Sequence, residues 1–407
     1  MPKLILLLTL IIGFTAQTKA QEIQRIVLSD SAKVSLLTNA PWDEAVYSLF
    51  GHTSMRISDP TQNIDYAFNF GLFNMSKSNF IFLFMKGETD YMVAPIPYNT
   101  YYQEYKERGV GIIEQVFNLT QKEKQDIFDA LLINCLPANR EYRYNYFYDN
   151  CSTRPRDIFE KYINGKIEYT PTNKEQTYRD LVIECTNSRQ WFRFGINLVI
   201  GADADKVITD RQKDFLPRYL MNAYEGATIA GDSIPRNILL STNTILEAKP
   251  FEKDFPVTPL YAGIILLIIS ILISYIVYKK KMVGLGKAFD TTLFLIAGIA
   301  GSIIFFLMFF SVHPCTNPNW NIIWLNPLQL IVVLLFYVKS LSKCIYYYHF
   351  INFVALLAFL LAWNLIPQQL EVTFIPFILS IGLRSFMNIL QQKKFKKKAD
   401  YSLPRAK

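Results

Sequence analysis

From Leu260 onward the chain is a succession of apolar runs separated by short polar loops. Runs of about 18 to 24 apolar residues match the roughly 20 that a helix, rising 1.5 Å per residue, needs to cross about 30 Å of hydrocarbon. Inside hydrocarbon the backbone must satisfy its own polar groups, so such runs are read as helices. Five are present, near 259–278, 290–311, 325–341, 345–363 and 371–390. They predict an all-α transmembrane bundle of five helices over residues 256–392, followed by a basic tail at 393–407. Residues 21–255 mix every class of side chain, as a soluble globular domain does. The 407 residues therefore divide into two units, and the overall 51% hydrophobic content averages two unlike halves.

The N-terminus fixes which side the soluble unit occupies. Lys3, the apolar stretch Leu4 to Phe14 and the small residues of Thr18-Lys19-Ala20 read as a secretory signal peptide over 1–20. An uncleaved anchor would leave the next domain on the same, outer side. Lysines then mark the inner loops: Lys279 to Lys287, Lys339 with Lys343, and Lys393 to Lys398 in the tail. Loops 312–325 and 364–370 contain no Lys or Arg. The net charge of +8 thus collects beside apolar spans, and nucleic acid is not expected as a partner. The loop His313-Pro314-Cys315-Thr316-Asn317-Pro318-Asn319-Trp320-Asn321 emerges on the side of the soluble domain. Its residues suit either a functional loop or a Pro/Asn turn with an interfacial tryptophan.

Within the soluble domain, Ser48 to Ser58 and Asn63 to Phe70 read as strands joined by a turn at Asp59-Pro60. A helix is expected over Gln121 to Cys135 with Thr120 as its N-cap, and another from near Cys151 to Tyr162. Asn150, Ser152 and Thr153 can cap the second, and Pro155 suits its first turn. The segment 225–255 reads as a tether into the first span.

Only one of the three histidines, His52, lies in this domain. Cys151 stands where a helix begins, and the unsatisfied N–H groups and dipole there favour a thiolate. A histidine in reach would make a nucleophile with its base, and the Cys151 N–H with a neighbouring donor would hold an oxyanion. Two plainer readings stay open: His52 as a structural residue, and Cys151 in a disulfide with Cys135 or Cys185. One histidine, no CxxC, no HExxH, no Walker motif and no dinucleotide fingerprint leave no metal or cofactor to expect.

Phe50-Gly51-His52-Thr53, then Asn69-Phe70-Gly71, then Tyr146 through Arg154 (YFYDNCSTR) resemble the periplasmic domain of the Bacteroidota lipoprotein N-acyltransferase family, the Lnb type. The outer loop from His313-Pro314 through Asn319, Asn321 and Asn326-Pro327 resembles it too. The resemblance implies an α+β permuted papain-like fold, similar to NlpC/P60 domains, in which His precedes Cys as His52 precedes Cys151. It implies N-acylation of the lipidated N-terminal Cys of diacylglyceryl lipoproteins, with membrane phospholipid and the bilayer as further partners, at the inner membrane. Cys315 departs from the pattern, where a small residue such as Ala is expected.

On that basis His52 serves Cys151 as base, Asn69 orients His52 with Asp65 behind it, and Asn150 or Tyr148 supplies a second oxyanion donor. Tyr148, Arg154, His313, Asn317 and Asn319 are expected at the substrate. The aromatic stretches Tyr91 to Tyr105 and Trp191 to Phe194 suit a membrane interface or an ordinary core. A cell-wall cysteine peptidase and a non-catalytic membrane scaffold are the rival readings; the first predicts a site open to water, the second that His52 and Cys151 are dispensable.

Overall fold

The computed structural model describes residues 25–402 apart from 74–78, 173, 232–234 and 252–253. The expected signal peptide and residues 403–407 of the tail lie outside the described residues. In chain order the first domain runs β1 (Lys33–Asn39), β2 (His52–Asp59), β3 (Ile64–Leu72), α1 (Phe80–Lys86), β4 (Asp90–Pro97), α2 (Tyr98–Arg108) and β5 (Ile112–Phe117). It continues through α3 (Gln121–Asn134), β6 (Glu141–Arg143), α4 (Thr153–Tyr162), β7 (Lys166–Glu168), α5 (Tyr178–Thr186) and α6 (Gln190–Val199). Its last elements are α7 (Pro217–Tyr224), β8 (Thr228–Ala230), β9 (Arg236–Asn237) and β10 (Leu239–Leu246).

Strands β10, β5, β1, β2, β3, β4 and β6 form, in that order, one antiparallel sheet. Side chains alternate across it. Val34, Leu36, Met55, Ile57 and Phe68 meet Ile127, Leu131 and Phe159 of α3 and α4 on one face. Leu37, Ala67 and Ile112 meet Tyr101 and Tyr105 of α2 on the other. This is an α+β domain, as expected. The Thr120 hydroxyl accepts from the Glu123 N–H and the Glu123 carboxylate from the Thr120 N–H, a capping box that starts α3 where the sequence places it.

Some expectations need correction. The strand expected from Ser48 begins instead at His52, because Val46–Phe50 wind into a 3-10 turn. The 225–255 segment is not a plain tether: β10 pairs with β5 and extends the main sheet. Tyr91, Tyr101 and Tyr105 are buried and belong to the domain interior.

The second domain contains α8 (Pro259–Lys280), α9 (Val283–Phe309), α10 (Leu328–Leu335), α11 (Ser342–Leu361) and α12 (Ile375–Ser402). Among the described residues, four stretches, Pro259–Lys280, Val283–Phe309, Ser342–Leu361 and Val372–Gln392, are long and apolar enough to cross a membrane. The expected third span, 325–341, is instead built around the eight-residue α10. It still descends along α9: its far end places the Tyr337 hydroxyl 3.0 Å from that of Thr291 and the Tyr337 ring 3.9 Å from Lys287 Nζ. Irregular backbone at its near end is served by protein groups, such as Gln329 Nε2 donating to the Trp324 carbonyl at 2.8 Å. A buried ion pair, Arg384 with Asp290 at 2.6 Å, joins α12 to α9, and Ser274 of α8 accepts from the same guanidinium.

The two domains share an interface made by α6 and the outer loops. Asn319 Nδ2 donates to the Leu198 carbonyl at 2.8 Å, and Asn321 Nδ2 to those of Asn197 and Leu198 at 3.2 Å. The Gly201 and Ala202 N–H groups donate to Cys315 and Pro318 carbonyls, both at 2.7 Å. From the expected aromatic stretch, Phe194 packs on Phe374 and Phe377, and Trp191 Nε1 donates to the Val257 carbonyl. Arg193 pairs with Glu371 at 2.6 Å.

Asn321 is fully buried and also accepts from Trp324 Nε1. Asn321→Ala leaves these partners buried without it, a loss of about 1–3 kcal/mol. The expected result is a lower thermal midpoint for the full chain in detergent; an unchanged midpoint contradicts the assigned interface.

Candidate active site

The β2–β3 register, with Ser54 opposite Asn69, carries Gly71 to the position across from His52. Asn69 Oδ1 lies 2.8 Å from His52 Nε2 and accepts the Gly71 N–H, also at 2.8 Å. An oxygen that already accepts an N–H is an acceptor toward the imidazole too, so Nε2 carries the ring proton and Nδ1 is left for another partner. A Cβ at Gly71 would sit 2.5 Å from His52 Cε1, so only glycine permits this ring position. Asp65 is engaged elsewhere, in a two-pronged pair with Arg56 at 2.7 and 2.8 Å.

Cys151 is the partner of His52. It stands two residues ahead of α4, whose N-terminus is organised by Asn150. Asn150 Oδ1 accepts the Ser152 and Thr153 N–H groups at 2.8 and 3.0 Å, as an N-capping side chain does. Its Nδ2 donates to the Tyr146 and Phe215 carbonyls at 2.8 and 2.9 Å. With both amide hydrogens committed, Asn150 is no oxyanion donor; it shapes the loop that carries the cysteine. The Cys151 N–H has no acceptor among the described residues.

Burial alone would push the Cys151 thiol up. The charge of His52, a hydrogen bond from its ring, the Thr53 N–H and the Ser152 hydroxyl more than offset this, and the net shift is downward. Burial pulls His52 down, yet the Cys151 thiolate, then Asn69 and more distant Glu104, bring it above its ordinary value. The two shifts are the two sides of one coupling between the thiol and the imidazole. By contrast, burial drives Cys135 up to about 11 and Cys185 up to about 12. All five cysteines are unpaired, so the disulfide alternative for Cys151 is not realised.

His52, Asn69, Asn150 and Cys151 line a cavity of about 260 Å3. The rest of its wall goes beyond the residues expected from sequence: Tyr47, Phe73, Tyr91, Tyr144 and Tyr146 are rings, and Glu104 and Arg108 are charged. The Tyr146 hydroxyl is buried and has no hydrogen-bond partner among the described residues. Local sequence gives no cue to these side chains, since the chain brings them together from widely separated segments.

The other expected residues lie outside this cavity. The Tyr148 hydroxyl bonds the Cys315 sulfur. Arg154 forms a two-pronged pair with Asp149 and lies over the Tyr142 ring. His313 Nε2 is 2.6 Å from the Phe84 carbonyl. Asn317 is exposed, and Asn319 is buried in the interface with α6. Tyr148, His313, Asn317 and Asn319 sit on or against the outer loop, and Arg154 is held within the soluble domain by Asp149 and Tyr142.

Two family models match the chain: the Lnb N-terminal periplasmic domain over residues 19–184 and the Lnb transmembrane domain over residues 250–396. No curated protein and no solved structure matches it.

Alkylation of the full chain in detergent by iodoacetamide, followed residue by residue with peptide mass spectrometry, tests the pair. Cys151 should react at pH values where Cys135 and Cys185 do not. His52→Ala removes the stabilising cation, so the Cys151 profile should move to higher pH; coincident profiles contradict the pairing. Gly71→Ala should slow Cys151 alkylation near neutral pH, by about tenfold per pKa unit of lost stabilisation.

Proposed function

The chain belongs to the Lnb family, and we propose that its site transfers a fatty acyl chain, through a Cys151 thioester, to the α-amino group of the lipidated N-terminal Cys of bacterial lipoproteins. The two domain matches fit a multi-pass inner-membrane protein whose N-terminal domain, in the periplasm, serves lipoprotein modification. The observation that carries the reading further is the Cys151–His52–Asn69 alignment, with a single free ring nitrogen for the thiol.

The steps follow from that alignment. His52 Nδ1 accepts the thiol proton, and the thiolate attacks the ester carbonyl of a phospholipid. The C–O bond breaks as His52 returns the proton to the departing oxygen, leaving a lysolipid and an acyl thioester. The lipoprotein's α-amine then attacks the thioester carbonyl. His52 accepts the amine's proton, the C–S bond breaks, and the amide leaves with Cys151 regenerated.

The free Cys151 N–H is the donor for the developing oxyanion, with the Tyr146 hydroxyl as its candidate partner; one such donor contributes about 3 kcal/mol in water-excluded sites. Both substrates are held in the bilayer, so fixing the site at the membrane surface replaces encounter in solution by a high effective concentration. Asn69 orients the imidazole and Asn150 positions the nucleophile.

A cell-wall peptidase would use the same three side chains, with water as the second nucleophile, so the product decides between them. N-terminal lipoprotein peptides from cells with the native protein, without it, and with Cys151→Ser are compared by mass spectrometry. The N-linked acyl chain is expected only with the native protein. Its persistence in both other strains would overturn the assignment.

A further inference from the structure

Helix α1, Phe-Ile-Phe-Leu-Phe-Met-Lys, has no buried residue. Ile81, Phe82 and Phe84 are 75%, 55% and 46% exposed, which is the wrong outer face for a helix in water. Its surroundings name the alternative solvent. The Phe82 ring is 6.0 Å from that of Phe306 in α9, and the Val312 N–H donates to the Lys86 carbonyl at 2.9 Å. His313 holds the Phe84 carbonyl. Gly87 ends the helix so close to this loop that a Cβ would lie 2.9 Å from the His313 nitrogen. The apolar face of α1 is thus continuous with Phe309, Phe310 and Val312, which are 59%, 60% and 63% exposed at the outer end of α9. Lys86, paired with Glu88 at 2.7 Å, puts charge at the end of the helix, where headgroups lie.

Rings then lead inward. Phe80 stacks on Phe84 at 6.2 Å and on Phe73 at 5.7 Å. Phe73 stacks on Tyr91 at 4.7 Å, and Tyr91 on Tyr144 at 4.0 Å. Phe73, Tyr91 and Tyr144 line the cavity of Cys151. We propose that α1 is a lip seated in the outer leaflet, and that this aromatic row admits the acyl chain of a bilayer lipid to Cys151. The second half of this rests on the acyl-transfer reading; the seat of α1 in hydrocarbon does not.

The test uses the full chain in phospholipid nanodiscs containing a phosphatidylethanolamine with a diazirine in its acyl chain. After irradiation, label is expected on the 79–87 peptide as well as on the spanning helices. In parallel, Ile81→Asn with Phe82→Asn should lower acyl loading of Cys151 from nanodisc lipid by about tenfold, the effect of losing part of the apolar seat of α1 in the bilayer. Iodoacetamide alkylation of Cys151 in that variant should stay unchanged, showing an intact site. No label on 79–87 overturns the lip and makes that face a protein-docking surface. Unchanged loading in the variant overturns the admission path. Label on 79–87 with no loading of native Cys151 supports the lip and overturns only the acyl-transfer reading.

Discussion

The carbonyls at the C-terminal end of α6 are the hinge on which the architecture depends. A helix leaves its last carbonyls without partners of its own. Here the partners come from the membrane domain: Asn319 and Asn321 serve Asn197 and Leu198, and Gln368 Nε2 donates to the Ile200 carbonyl at 3.1 Å. Arg179, itself buried, completes the turn through the Ile200 and Gly201 carbonyls and Asp205. Each bond contributes only about 1 kcal/mol net, but unmade they would each leave a buried group unsatisfied. Together these bonds tie the soluble domain to the outer ends of the helices. Cys315 of the outer loop packs within a core cluster of the soluble domain, while Phe194 and Leu198 of α6 pack against the membrane core.

That attachment gives the Cys151–His52 geometry its use on the proposed reading. A cysteine coupled to a histidine is a general device for acyl transfer, and nothing in it selects lipids. On the proposed reading, selection falls to the cavity wall: it is aromatic on the side that leads through Phe73 to α1, and Glu104 and Arg108 also line it. The same three side chains in a cavity facing water would serve peptide hydrolysis equally well.

Much of this is legible in the sequence where one physical cause dominates. Long apolar runs announce membrane helices because hydrocarbon tolerates little else. Cys151 is marked by its place at a helix start, and His52 by its solitude. Asn69 is within reach of inference from strand spacing, and its contact with His52 follows from register. Features set by tertiary contact stay hidden. Asn150 reads as a polar neighbour of Cys151 until its four hydrogen bonds to backbone are seen. The shortness of α10 depends on side chains that satisfy its approach, and β10 depends on the free edge of β5. The apolar face of α1 lies in a run of only seven residues, too short to register as a membrane signal.

The most direct measurement is the intact mass of the full chain purified after brief incubation with phospholipid and no acceptor lipoprotein. The expected result is a gain of one acyl chain, located on Cys151, removed by hydroxylamine and absent from Cys151→Ser. A native chain that releases lysolipid but never carries the acyl mass would contradict a thioester intermediate and, with it, the nucleophilic role of the Cys151–His52 pair.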